Sequence, residues 1–236
     1  MISRFSQALS LLWNNLGLFT AIILTVWLPG NILTNFVAYN YAEVSYIALI
    51  MLIEGIFGPL YIGALVYALY RIKMGHRVTY KEAIAVGFRK WGSLFAARFV
   101  AGILVGLGFF ALIVPGIILA VRYSLLDAAV IIEGKGTSGS LARSIELTAG
   151  RRWQIFGAAI VFVIPFLLVS FLIYLPLGFC ESLDVMPVGV ALDCVLDIVY
   201  AVIQIVIFLF YWEAIQDTAR AEPVAGADGV NAAVQP

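Results

Sequence analysis

Long apolar runs dominate the chain. Residues 16–39, 46–70, 94–113, 154–175 and 190–212 each have about the length a helix needs to cross ~30 Å of hydrocarbon. A shorter run, IILAVRYSLLDAAVIIE at 117–133, follows the Val-Pro-Gly at 114–116 and reaches about 26 Å as a helix. Between the runs lie amphipathic stretches. Ile2, Phe5, Leu9 and Leu12 recur at helical spacing against Ser3, Arg4, Ser6 and Gln7. Tyr80, Ile84, Phe88 and Trp91 do the same opposite Lys81, Arg89 and Lys90, and Thr79-x-x-Glu82 is a capping box that starts this helix. The order amphipathic stretch, Trp, Phe, apolar run recurs at WNNLGLF (13–19), WGSLF (91–95) and WQIF (153–156), and each following run reaches a proline near its far end. The pattern predicts three units, 1–70, 71–133 and 134–212, each an interfacial helix plus a transmembrane hairpin. A cytoplasmic tail at 213–236, rich in Ala, Gly and Asp, follows and is expected to be disordered beyond its first turn or two.

Composition narrows the class. Hydrophobic residues make up 63% of the 236 and charged ones 12%, against roughly 45–50% and about 25% in soluble domains. With a mean hydropathy of +1.04, a soluble, disordered or disulfide-rich secreted chain is excluded. Continuous runs argue against an outer-membrane barrel, whose strands alternate. The run from Leu16 to Tyr39 exceeds a signal-peptide core and no A-x-A site follows, so it is read as an uncleaved first span.

Fourteen Lys and Arg balance fourteen Asp and Glu, so only their placement informs. Arg71, Lys73, Arg77, Lys81, Arg89 and Lys90 cluster in one segment; Lys135, Arg143, Arg151 and Arg152 cluster in another. Segments 40–45 and 176–189 have no base. The positive-inside rule then makes both clusters cytoplasmic. An even number of crossings must separate them, so 94–113 and 117–133 form a hairpin turning at 114–116; an interfacial helix is the rival for 117–133. The fold expected is an all-α polytopic bundle of six spans. Its amphipathic interfacial helices and both termini are cytoplasmic. The bases, among them Arg71, Lys73, Arg77, Lys81, Arg89, Lys90, Arg143, Arg151 and Arg152, form a collar for anionic lipid, not a nucleic-acid footprint.

Charged and amide groups inside a membrane are costly and mark packing or function. The topology gathers Asn31, Asn35, Glu54, Arg122, Asp127, Asp193 and Asp197 in the outer half and leaves Arg98 and Gln204 in the cytoplasmic half. Asn31 and Asn35 share one helix face, as do Asp193 and Asp197. These seven are either packing groups or the lining of a vestibule, with Glu54–Arg122 as the expected central ion pair and Asp127 as the competing partner. Cys180 and Cys194, at the outer face, are a disulfide or two shielded thiols. Gly102-x-x-x-Gly106 is read as core packing before a dimer face. The one histidine, His76, has no companion ligands, so neither metal nor cofactor is expected. No nucleophile triad, phosphate loop or Cys-x-x-Cys occurs, and Asp193/Asp197 are the only paired carboxylates for an intramembrane enzyme.

The central segment carries a resemblance. Pro115-Gly116, Arg122, Glu133-Gly134, then Ser144, Leu147, Thr148 and Gly150 ahead of Trp153 resemble the glycerophosphoryl diester phosphodiesterase membrane-domain family and its stand-alone YciC-like bacterial inner-membrane relatives. Phe5, Asn14, Asn15, Leu28, Pro29 and the stretch MGHRVTYKEA fit more loosely. The resemblance implies a polytopic membrane protein. In fused members catalysis belongs to a separate soluble domain, which residues 1–236 do not contain, so no enzyme activity is implied. The leading expectation is a non-catalytic membrane protein that binds lipids or assists other membrane proteins. A transporter with an outer-half vestibule is the alternative.

Overall fold

In a computed structural model the protein is all helical, with no strand among the described residues 2–41, 46–179 and 185–231. The amphipathic α1 (Ile2–Asn14) leads into α2 (Leu16–Asn40), α3 (Tyr46–Lys73) and α4 (Tyr80–Ala111). Then come α5 (Ile113–Arg122), a single turn α6 (Leu126–Ala128) and a π turn (Ala129–Glu133), followed by α7 (Thr137–Thr148), α8 (Arg152–Tyr174) and α9 (Met186–Asn231). Six helical segments are long and apolar enough to cross a membrane, Ile113–Glu133 among them. That stretch runs back along α4, with Gly116 against Gly108 and Asp127 beside Arg98. The core is formed by α2, α3, α4, α9 and the π turn, around Phe19, Leu65, Leu94, Val130 and Tyr211.

Local chemistry sets the boundaries. Asn15 bends the chain between α1 and α2, its side-chain amide donating to the Leu11 carbonyl at 3.0 Å. A Schellman motif ends α3: Gly75 takes φ +76°, its N–H bonds the Ile72 carbonyl and that of His76 bonds Arg71, both at 3.0 Å. The Thr79–Glu82 capping box is formed and starts α4.

Four expectations need correction. Residues 80–91 are not a separate interfacial helix but the opening turns of the 32-residue α4. They dock on α3 because Gly87 has no side chain: a Cβ there would lie 2.6 Å from the Leu60 carbonyl oxygen. The Trp91 indole N–H also donates to the Ile56 carbonyl at 2.6 Å. The second correction is the hairpin turn, which lies at the extended Leu112 (φ −165°, ψ 154°), not at 114–116; Pro115 and Gly116 belong to the first turn of α5. Third, the chain does not leave the bundle at 212. The helix continues, and Glu213 and Asp217 bind Arg4 and Arg151. Residues 213–220 are therefore part of the fold, while 232–236 fall outside the described residues. Fourth, Gly102 and Gly106 do not serve core packing, since nothing lies within 4 Å of a Cβ built at either. Cys180, and with it any bridge, is outside the described residues; Cys194 is a free thiol.

Candidate functional site

Two antiparallel helices of the core build a polar ladder. Asn31 and Asn35 lie one turn apart on α2, and Asp197 and Asp193 lie one turn apart on the antiparallel α9. The Asn31 amide donates to Asp197 Oδ2 at 2.8 Å and the Asn35 amide to Asp193 Oδ2 at 2.6 Å. The Tyr174 hydroxyl on α8 donates to the other oxygen of Asp193. Cys194 Sγ lies 3.6 Å from the Asn31 amide. Counted along α2 and α9, the four rung residues lie about 8–16 Å from the nearer helix end, while Tyr174 is the last residue of α8. Hydrogen bonds from neutral donors to carboxylates are charge-assisted and strong.

The ladder borders a cavity of about 370 Å³ whose lining includes Trp27, Asn31, Glu54, Asp193, Asp197 and Tyr200. Glu54 also lines a second cavity of about 260 Å³ between α3 and α4, together with Arg98. The first is not sealed, because Glu54 and Tyr200 are exposed at its edge. Glu54 has no hydrogen bond or ion pair among the described residues. Four of the seven intramembrane candidates, Asn31, Glu54, Asp193 and Asp197, thus line one space, and Asn35 joins them through Asp193.

Arg122 and Asp127 do not join them. The expected Glu54–Arg122 pair is absent: Arg122 closes α5, where its carbonyl accepts the Ser144 hydroxyl at 2.8 Å and its Nε is buried without a partner. Asp127 instead meets Arg98, Nη1 to Oδ2 at 3.6 Å. Arg98 is therefore the base that lines a cavity with Glu54. Its position was hidden because α4 continues unbroken from 80 and brings Phe95, Arg98 and Phe99 opposite Met51, Glu54 and Gly55. Tyr174, Tyr200 and Tyr61 were also missed, since a tyrosine in an apolar run gives no signal of its own.

At the opposite end the basic collar is only partly free. Arg143 bonds Glu133 (Nε to Oε1, 3.0 Å) and Glu146 (Nη1 to Oε1, 2.9 Å). Burial opposes its charge, and the bonds to Glu146 and Glu133 outweigh that and raise its pKa above the ordinary value. Glu133 also receives Lys135 at 3.0 Å and the Tyr211 hydroxyl at 3.2 Å. Arg151 binds Asp217, and Arg4 binds Glu213 at 2.8 Å while lying 4.4 Å above the Phe210 ring. The expectation of Arg143 and Arg151 as lipid contacts is corrected: both are consumed within the protein. Arg71, Lys73, Arg77, Lys81, Arg89, Lys90 and Arg152 have no ion pair among the described residues. The Arg4–Glu213 contact puts α1 and the far part of α9 at one face.

The motif residues of the central segment have structural work. Gly116 lets the hairpin close against the Phe109 ring, and Gly134 and Gly150 take φ of +67° and +77°. Ser144 and Thr148 are fully buried, and Leu147 is nearly so. Among the described residues no three His, Cys, Asp or Glu side chains converge as metal ligands would.

Six helices among the described residues, each long and apolar enough to cross a membrane, define a multi-pass α-helical membrane protein. Residues 28–215 match the family described as a domain of unknown function (DUF7847), and the chain belongs to that family. No curated protein and no solved structure matches it.

Proposed function

We propose that this is a non-catalytic, lipid-binding protein of the bacterial inner membrane that serves other membrane proteins, with both termini cytoplasmic. One observation carries this reading: an unsealed cavity within the apolar part of the bundle that presents Glu54, Asp193, Asp197 and Tyr200 beside aromatic walls. Polar groups at that depth are costly unless they meet a partner, and a lipid held between helices brings a polar head and apolar tails together. The unpaired bases Arg71, Lys73, Arg77, Lys81, Arg89, Lys90 and Arg152 support contact with an anionic leaflet. The resemblance to the phosphodiesterase membrane domains and YciC-like proteins supports a membrane role without chemistry.

Transport is the second reading, and the sharing of Glu54 by two cavities favours it. Native mass spectrometry of the full chain in mild detergent separates the two. Lipid binding expects phospholipid adducts that persist through delipidating washes and weaken when Asn35→Leu removes a rung of the ladder. A chain that retains no phospholipid of any class would overturn the reading. Solute flux into proteoliposomes, lost with Glu54→Gln, would establish transport instead.

A further inference from the structure

The two cavities meet at Glu54, and their unmatched groups carry opposite charge. On one side Asp193 and Asp197 already accept hydrogen bonds from Asn35, Tyr174 and Asn31. Those donors are neutral, so no base among the described residues is paired with either carboxylate. Glu54 adds a third carboxylate with neither donor nor base among the described residues. On the other side Arg98 meets Asp127 only at 3.6 Å, and its Nη1 is buried with no hydrogen-bond partner. Glu54 and Arg98 line the same cavity and do not pair with each other. A third group, independent of the charges, lacks a partner: the Tyr61 hydroxyl, on a residue 2% exposed. Tyr61 lies on α3 and packs edge-on to Trp27, a wall of the first cavity, at 6.0 Å between ring centroids.

An ordinary ion cannot match this set. A simple cation leaves Arg98 unsatisfied, and a simple anion faces three carboxylates. A zwitterion with an N–H-bearing cation a few bonds from an anion matches both sides. We infer that the cavities sharing Glu54 form one site for an aminophospholipid headgroup, its primary ammonium directed to Glu54 and Asp197 and its phosphate to Arg98. The inference rests on the lipid-binding reading and names the lipid. Joined, the cavities fall within the usual size range of small-ligand pockets. Exposed Met51, Phe57 and Phe99 beside Glu54 and Arg98 offer apolar surface for acyl chains. Carboxylates that need N–H donors discriminate against a quaternary ammonium, which has none.

The test uses the full chain in nanodiscs containing equal parts of phosphatidylethanolamine, its N-monomethyl and N,N-dimethyl forms, phosphatidylcholine and phosphatidylglycerol, read by native mass spectrometry. Adducts should fall stepwise as N–H is replaced by methyl. The ethanolamine lipid should exceed both choline and glycerol lipids by roughly tenfold, the scale of one charge-assisted hydrogen bond. Glu54→Gln should erase the discrimination among the methylated series, and Arg98→Gln should weaken binding of its zwitterionic members. Equal retention across the series by the unaltered chain overturns the inference without need of any variant, as does a preference for the choline lipid. Retention of lipid without headgroup preference defeats only this inference; retention of none defeats the lipid-binding reading itself. Soluble phosphoethanolamine should not displace the lipid at equal concentration; displacement would make the free zwitterion the ligand and overturn the assignment to lipid.

Discussion

Arg143 holds two acids at nearly the same distance, and burial makes them unequal. Glu133 and Glu146 lie 3.0 and 2.9 Å from it, but the Glu133 side chain is 17% exposed and that of Glu146 is 66% exposed. The Glu146 pair spans i,i+3 on one helix face in water, where such pairs contribute about 0.2–1 kcal/mol. Glu146→Ala should therefore cost less than about 1 kcal/mol and fade with salt. Glu133 joins the π turn to α7 through Arg143 and to α9 through Tyr211, whose side chain is fully buried. Removing it leaves a guanidinium that is only 14% exposed with the solvent-exposed Glu146 as its remaining acid, a loss of about 2–3 kcal/mol, and leaves a phenol unsatisfied for about 1 kcal/mol more. Lys135, half exposed, returns to solvent and adds little.

Glu133→Ala should thus destabilise by about 3–4 kcal/mol. Glu133→Gln, which keeps an acceptor for Tyr211, should lose less. The assay is equilibrium unfolding in mixed micelles, read by tryptophan fluorescence. Glu133→Leu with Arg143→Leu should recover much of the single-variant loss, because breaking a pair costs more than removing it. Equal costs for Glu133→Ala and Glu146→Ala, or strict additivity in the double variant, would refute the assignment of Glu133 as the joint between α7 and α9.

Gly108→Ala and Gly116→Ala should each destabilise by about 1–3 kcal/mol in the same assay, by forcing the α4–α5 hairpin open. Gly102→Ala and Gly106→Ala, with open space around them, should be neutral in the monomer. For topology, with Cys180 and Cys194 replaced, Arg77→Cys and Ser138→Cys should resist an impermeant thiol reagent added outside. Ala42→Cys and Ser182→Cys should react; labelling at 138 from outside would overturn the six-crossing arrangement.

The spans were legible because a helix that must hide every backbone polar group in hydrocarbon announces itself by length and composition. The capping box was legible because Thr79 and Glu82 satisfy each other locally. The turn at Leu112 was not. Proline fits the first turn of a helix, where its missing N–H has no partner to lose, so Pro115-Gly116 marks the beginning of α5 and not the break before it. The helix beyond 212 was missed for a different reason. An Ala-rich stretch without large apolar residues looks unable to fold, yet Glu213 and Asp217 lie one turn apart and find Arg4 and Arg151 from distant parts of the chain. Such pairing has no local trace.

The candidate site divides along the same line. Face-sharing is local, so the i,i+4 spacing of Asn31 with Asn35 and of Asp193 with Asp197 is enough to define two polar helix faces. Partner choice is not local. Depth counting favoured Glu54 with Arg122, since it assumed that α4 starts afresh after an interfacial helix. The unbroken helix instead carries Arg98 up to the cavity and leaves Arg122 at the α5–α7 contact. What results is more informative than the expected ion pair. A carboxylate neutralised by arginine needs nothing further and reads as packing. Here the two rungs satisfy hydrogen-bond geometry with amides and a phenol but bring no base to Asp193 or Asp197, and Glu54 has neither donor nor base among the described residues. A bundle built only for stability would gain by replacing these acids with apolar groups of similar volume. In the proposed headgroup site their negative potential would act on the ammonium, and Arg98, beside Asp127 at 3.6 Å, would select the anion attached to it.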